Sequence, residues 1–228
     1  MNRLNAIVSL IDRCEVVADI GTDHGYVAEM LLNNDICNKV IASDINEGPL
    51  NSAINHLTQV ELDDRTDFRL GSGMTILNEG EANVSVIAGM GGDLISKIVD
   101  DSLDIAKSLD YLIIQPMTNI DTIRKYLYDN GFSIDEEIIV KEYHFYYFIL
   151  KVIKKQEIIE DEIYYTVSKY LFDNKNLLLL EYLKKMYKTN NIILKNLCNS
   201  KKSDVTKKIE EVNNRNFRIE WMINQYEC

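Results

Sequence analysis

The stretch that most constrains this 228-residue chain is Val16 to Tyr26, which reads Val-Val-Ala-Asp-Ile-Gly-Thr-Asp-His-Gly-Tyr. Val16, Val17, Ala18 and Ile20 are apolar or small, as a central parallel strand covered on both faces requires. Gly21 ends that strand, and its missing Cβ lets the backbone turn sharply and approach a ligand. Gly25 keeps the start of the following helix uncrowded. Asp19 falls at the carboxyl end of the strand, where open α/β sheets bind ligands; the alternative is an acid that caps its own turn. The glycines lack the Gly-x-Gly-x-x-Gly spacing of a dinucleotide fold, so a pyrophosphate clamp is not indicated. An acid ahead of an open glycine loop suits a ligand with a cationic amino-acid portion and a ribose.

Around this stretch the chain alternates strand and helix. A helix precedes it, and Tyr26–Asn33 is predicted as a helix with Val27, Met30 and Leu31 on one face. Lys39–Asp44 is a second buried strand ending in an acid. Asp44 follows Asp19 by 25 residues, close to the spacing at which a doubly wound fold puts the carboxylate for a ribose hydroxyl pair; a structural role is the other reading. Pro49 suits a first helical turn. Thr66–Leu70 is a third strand closed by Gly71-Ser72-Gly73, a turn that either borders an adenine ring or is a plain loop. Val84–Ala88 is a fourth strand running into Gly89-Met90-Gly91-Gly92, more glycine than a tight turn needs. Tyr111–Gln115 is a fifth strand ended by Pro116, with Thr118-Asn119 capping the next helix. Phe132–Val140 and Phe145–Ile153 form a terminal hairpin across Lys141–His144. The sum is an α/β fold with a seven-stranded doubly wound sheet and one reversed edge. Beyond about residue 157, Leu177, Leu183, Met186, Val205, Val212, Phe217, Ile219 and Met222 recur at helical spacing. Two long antiparallel helices meeting near Asn199-Ser200 are expected, their apolar stripe forming helix core.

The net charge of −11 argues against nucleic acid until it is divided along the chain. Residues 1–152 carry 11 Lys and Arg against 25 Asp and Glu, whereas residues 153–228 carry 14 against 11. From Lys184 to Arg218 there are ten bases and three acids, either a local potential able to attract phosphates or a solvated helical surface. No run of about 18 apolar residues occurs, so no membrane span is expected. The start, Met1 to Arg13, mixes acid and base within a helical pattern and reads as a packing helix instead of a signal peptide. Cys14, Cys37, Cys198 and Cys228 are far apart and form no metal-ligand pair, so reduced thiols, a cytoplasmic setting and no metal are expected.

Four motifs, Asp-Ile-Gly-Thr-Asp-His-Gly-Tyr at 19–26, Asp-Ile-Asn-Glu-Gly-Pro-Leu at 44–50, Ile-Ala-Gly-Met-Gly-Gly at 87–92 and Gln-Pro-Met-Thr-Asn at 115–119, fall in order at strand ends. Together they resemble the bacterial tRNA (adenine-N1)-methyltransferase family that modifies position 22 of tRNA with S-adenosylmethionine. The resemblance implies a Rossmann-like class I methyltransferase domain over residues 1–156 and a helical coiled-coil domain over 157–228 that helps hold tRNA. Carried over by position, Asp19, Gly21, Thr22, Gly25 and Tyr26 surround the methionine part of the cofactor. Asp44, Ile45 and Asn46 hold the ribose and adenosine edge, with Gly71, Ser72 and Gly73 nearby, and Ala88, Gly89 and Met90 lie beside the sulfonium and target base. Asp23 is the candidate for electrostatic catalysis, and His24 and Gln115 are candidates for contacts to the base, each with a structural role as its alternative. Lys184, Lys185, Lys188, Lys201, Lys202, Lys207 and Lys208 are expected to grip tRNA phosphates, and the protein to act as a monomer. A methyltransferase of the same fold acting on another RNA, a protein or a small molecule, its tail a partner-binding module, is the other reading.

Overall fold

The computed structural model describes residues 1–199 and 205–227, so Lys201 and Lys202 lie outside the described residues. The chain divides into two compact units, Met1–Glu160 and Asp161–Cys228. In the first, seven strands form one sheet: β1 (Cys14–Ile20), β2 (Cys37–Asp44), β3 (Thr66–Leu70), β4 (Val84–Gly91), β5 (Tyr111–Thr118), β6 (Phe132–Glu142) and β7 (Phe145–Lys154). Their order across the sheet is β3-β2-β1-β4-β5-β7-β6. The first five run parallel, and β7 is antiparallel to both β5 and β6. β1 therefore sits inside the sheet with β2 on one side and β4 on the other. The winding reverses between β1 and β4, and at such a switch point the helices diverge and leave a crevice at the strands' carboxyl ends.

The helices of this unit are α1 (Arg3–Ser9), α2 (Tyr26–Asn33), α3 (Glu47–Gln59), α4 (Gly92–Asp100), α5 (Leu103–Ser108) and α6 (Ile120–Asp129). Val27, Ala28, Leu31 and Leu32 are the buried residues of α2, which puts Met30 on the flank of the apolar face and not at its centre. They join Ala6 and Ile7 of α1 and Leu57 of α3 in one core with Val17, Val40, Val86 and Ile113 of the sheet. α4 and α6 pack together and against β4, β5 and β6.

Pro116 does not end β5, which continues to Thr118. Its last pair with β7 is Ile114 to Leu150, while its pairing with β4 runs on to Thr118. The proline thus stands where the β7 side of the ladder is already over, and its missing N–H costs no bond there. β4 likewise runs through Gly89 and Met90 to Gly91, with irregular register on both sides of Met90. Asn119 stands at the start of α6 without capping it by its side chain, at φ 53°; its amide instead donates to Asp93 Oδ2 at 2.5 Å. The terminal hairpin is longer than its apolar runs suggest, and only Tyr143 and His144 separate Glu142 from its partner Phe145.

The second unit contains α7 (Ile163–Thr166), α8 (Lys169–Asp173), α9 (Leu177–Cys198) and α10 (Thr206–Glu227). Tyr187 donates to Glu220 at 3.4 Å and Asn190 to Asn216 at 2.9 Å. Partner numbers fall on one helix as they rise on the other, so the two long helices are antiparallel. Leu179, Leu183, Val212, Ile219 and Met222 are buried, but the apolar stripe is narrower than its sequence suggests. Leu177, the first residue of α9, is 78% exposed, and Phe217 is 70% exposed because Asn216 and Ile219 take the inward positions beside it. Asn216 also donates to Asn191 at 3.0 Å, making a polar layer of the kind that fixes helix register.

Among the described residues, an ion pair is wholly buried: Arg124 of α6 donates to Glu137 of β6 at 2.5 Å, with side chains 0% and 1% exposed. The guanidinium also lies 5.2 Å over the Phe148 ring. Breaking such a pair from one side leaves a charge in a low-dielectric interior. Glu137→Ala is expected to cost about 3–5 kcal/mol in a denaturant titration, whereas replacing both partners by apolar residues of similar size is expected to cost far less.

Candidate functional site

At the switch point, β1 presents Asp19. It pairs with Ala42 of β2 on one side and Val86 of β4 on the other, so the backbone is held from both sides and the carboxylate is 5% exposed. Loss of hydration pushes its pKa up to about 6, with Thr22 acting in the opposite direction. The chain then turns at Gly21, φ 79°, and the N–H groups of Gly21 and Thr22 both donate to Ser43 O at 2.8 Å. Two hydrogen bonds to one carbonyl pin this loop to the end of β2. A Cβ at Gly21 would stand 2.0 Å from the Met90 methyl, so the glycine makes room for Met90. Gly25, φ 72°, begins α2 without a side-chain cap. The first N–H groups of that helix therefore face the loop, an arrangement that favours an anionic group.

These parts enclose a cavity of about 480 Å³. Asp19, Gly21, Thr22, Asp23, His24 and Tyr26 line one side and Ala88, Gly89 and Met90 another. Gly89 has φ 80° and no atom within 4 Å of a Cβ placed on it, so its backbone faces open space. The other two glycines of that run have a different cause. A Cβ at Gly92 would lie 2.1 Å from Asn119 O, and one at Gly91 would lie 3.1 Å from Thr118 Oγ1. Gly92 lets the backbone approach that of Thr118 and Asn119, and Gly91 leaves room for the Thr118 hydroxyl.

The third wall comes from α1: Arg3, Leu4 and Ile7 line the cavity. Leu4 and Ile7 share a helical face in the sequence, but that spacing shows only that the helix is covered, not what it covers. Arg3 carries no local signal at all. Its side chain donates to Gln115 Oε1 at 3.3 Å and lies 5.4 Å over the Tyr147 ring.

Gln115 does not line this cavity. It is 0% exposed, and its amide is engaged at both ends: Oε1 accepts from Gly89 N at 3.2 Å as well as from Arg3, and Nε2 donates to Pro116 O at 2.9 Å. It holds the Gly89 peptide, the structural role that was its alternative to a contact with the base. Asp23 and His24 stand at the rim, 3.6 Å apart, with side chains 76% and 50% exposed, so solvent screens their fields. Tyr26 is half exposed, with its ring edge-on to His56 at 5.1 Å.

Asp44, Ile45, Asn46, Gly71, Ser72 and Gly73 form a separate rim at the ends of β2 and β3, outside the cavity wall. Asp44 Oδ1 accepts from Asn46 N at 2.7 Å and Asp44 O from Gly71 N at 3.0 Å. Ile45 is exposed beside it. The Gly71 and Gly73 positions are explained by packing, since a Cβ would meet Ile76 at 2.2 Å and Ile98 at 2.9 Å respectively.

Asp19 makes a signed prediction. Its folded pKa of about 6 lies above the ordinary 3.8, so the folded state binds the extra proton and stability falls as pH rises from about 4 to about 6. Asp19→Asn is therefore expected to be more stable than the native chain at pH 7.5, on the order of 2–3 kcal/mol. The gain should vanish below about pH 4 in chemical denaturation.

Residues 1–150 match the methyltransferase-domain family. The tRNA (adenine(22)-N(1))-methyltransferase of Bacillus subtilis (strain 168) is 34% identical over 140 residues, 61% of this chain and 59% of that protein. The match thus spans less than two thirds of that relative. The crystal structure of the B. subtilis M1A22 tRNA methyltransferase TrmK has a TM-score of 0.88 to this chain at 26% identity, covering 97% of each. The structure of M. capricolum TrmK in complex with S-adenosyl-homocysteine has a TM-score of 0.84 at 26% identity, covering 98% of this chain and 97% of that one. A glycine loop behind a buried acid at a methyltransferase switch point, in a chain that aligns along almost its whole length with those structures, leads to one assignment: similar as it is to tRNA (adenine(22)-N(1))-methyltransferases, the chain belongs to the methyltransferase-domain family.

Proposed function

We propose that the protein transfers a methyl group from S-adenosylmethionine to N1 of adenine 22 in bacterial tRNA, as a cytoplasmic monomer that needs no metal. The observation that carries this reading is the buried Asp19 carboxylate across the crevice from the open Gly89 backbone. The residues present fit the cofactor. An acid deprived of water favours an ammonium group, the uncapped start of α2 at Gly25 favours a carboxylate, and Asp44 can accept hydrogen bonds from two ribose hydroxyls. Gly21, Thr22 and Tyr26 complete the methionine side; Ile45, Asn46, Gly71, Ser72 and Gly73 border the nucleoside; Ala88, Gly89 and Met90 lie where the methyl group is passed.

The cofactor supplies an electrophilic sulfonium methyl group. Adenine N1 carries its own lone pair, so no side chain has to remove a proton, and the chain's work is positioning and exclusion of water. Gln115 sets the Gly89 peptide, Leu4 and Ile7 close the wall with apolar surface, and Asp23 and His24 orient the entering base at the rim. Because N1 is on the Watson–Crick edge, the adenine has to be unpaired when it enters.

On α9, Lys184 and Lys188 are exposed and one turn apart, and Lys195 continues the same face. Lys207 and Lys208 are exposed on α10, although Lys208 pairs with Glu211 at 3.0 Å. Arg218 pairs with Asp161 and lies over the Trp221 ring, so not every base of the tail faces a phosphate. These lysines support a phosphate grip by the second unit.

The deciding experiment incubates the full chain with labelled S-adenosylmethionine and unmodified bacterial tRNA, then maps the methyl group by nuclease digestion and mass spectrometry. Methylation at N1 of adenine 22 is expected; cofactor binding with no methylated tRNA would overturn the substrate. Asp19→Ala is expected to weaken cofactor binding at least tenfold, and the native affinity is expected to fall as pH drops below about 6, since protonated Asp19 no longer attracts a cation. The triple variant Lys184→Glu, Lys185→Glu, Lys188→Glu is expected to raise the tRNA KM and flatten its salt dependence by about 0.7–0.9 log units per lost phosphate contact. Cofactor affinity should not change.

A further inference from the structure

The tip of the β6–β7 hairpin is aromatic where a solvent-exposed turn in an acidic domain is ordinarily polar. Tyr143 stands at the apex with φ 55° and is 94% exposed. His144 lies 4.2 Å from Phe145 between ring centroids, and Phe145, 55% exposed, lies 6.5 Å from Tyr147. Phe145 and Tyr147 alternate along β7 and so project from the same face of the sheet. Tyr147 is covered by the Arg3 guanidinium at 5.4 Å, and Arg3 lines the cavity. Arg3 is fixed there by three further contacts: its N–H donates to Glu142 at 2.6 Å, and its guanidinium donates to Gln115 Oε1 at 3.3 Å and to Met117 Sδ at 3.1 Å. A strip of π-faces and one cation therefore leads from the cavity mouth, through Tyr147 and Phe145, to His144, with Tyr143 next to it in the chain at the apex of the turn.

We propose that this strip is a stacking platform for an unpaired nucleobase next to the one that enters the cavity. This rests on the tRNA reading above. The occupant follows from three properties of the surface. The strip begins at the wall of the cavity that receives the target base, so a strand leaving that cavity crosses it. Residues 1–152 carry 25 acids against 11 bases, a field that repels phosphates, and stacking on a neutral ring is the interaction least affected by that field. Rings at separations of 4.2 and 6.5 Å, tilted and exposed, present individual faces and edges to single bases, not one flat apolar area to a folded protein. Base stacking on one aromatic ring is worth roughly 5- to 150-fold in affinity, enough to help hold an adenine out of its own stack.

The test uses the full chain with Phe145→Leu, Phe145→Trp and Tyr143→Ala. Two readouts are taken: steady-state methylation of tRNA, and anisotropy of a fluorescent, unstructured oligoribonucleotide. Leucine keeps the apolar volume without a π-face; tryptophan restores the face. The expected result is a tRNA KM and an oligonucleotide Kd raised at least fivefold in Phe145→Leu, with native values in Phe145→Trp and unchanged affinity for S-adenosylmethionine. Equal KM and Kd in the native chain and in both Phe145→Leu and Tyr143→Ala would overturn the platform while leaving the tRNA reading standing. Weakened binding of a protein partner with unchanged oligonucleotide affinity would overturn it too. If the native chain methylates no tRNA, the functional reading falls, and the oligonucleotide measurement alone decides the platform. Tyr143 is almost wholly in solvent, so its variant reports on binding even if a change at Phe145 perturbs folding.

Discussion

A carboxylate at the end of β1 with almost no access to water is the constraint from which the rest of this domain follows. It is held there on a strand with a neighbour on each side, whose doubly paired backbone leaves no open edge beside the acid. That places β1 inside the sheet and the change of winding beside it. The carboxylate raises the free energy of the folded chain at neutral pH, a cost retained at a place where the same desolvation makes it a strong acceptor for a cationic group. With Asp19 as the proposed partner of a cationic group, stability and binding pull in opposite directions there.

The loops around Asp19 are shaped by close approach as much as by chemistry. Gly21 leaves space for the Met90 methyl, Gly92 for the Asn119 carbonyl, Gly71 for Ile76 and Gly73 for Ile98. Among these, Gly89 stands apart with open space before it. A run such as Gly89-Met90-Gly91-Gly92 therefore carries two messages: one glycine faces the site, and two let neighbouring strand ends meet. Gln115 joins the two by holding Gly89 from β5 while accepting from Arg3 of α1. A residue with no exposed surface thus links the amino-terminal helix and the glycine loop through one amide.

The second unit follows a different rule. Its two long helices keep an apolar seam of Leu183, Val212, Ile219 and Met222, interrupted by the Asn190–Asn216 bond. Such a bond adds little stability, but it disfavours any sliding of one helix past the other that would leave an amide buried and unbonded. Register kept in this way fixes where exposed lysines stand relative to one another along the pair, a requirement for any surface that meets regularly spaced phosphates.

Local pattern in the sequence determined the alternation of strands and helices, the interior place of Val16–Ile20, the acids at the ends of β1 and β2, and the helical tail with its change of charge sign. Each depends on interactions within a few residues: side-chain period, glycine freedom, proline geometry and the burial both faces of a parallel strand demand. Tertiary structure decided what depends on distant partners. It carried β5 past Pro116, because β7 had already left that side of the ladder. It drew Gln115 inward, because Gly89 N and Arg3 both donate to its oxygen. It brought Arg3, more than a hundred residues away in sequence, against Gln115 and Tyr147, and turned Phe217 outward although its spacing fits the seam. None of these carries a local signal, since each is settled by which of several distant groups reaches a donor, an acceptor or a cavity first.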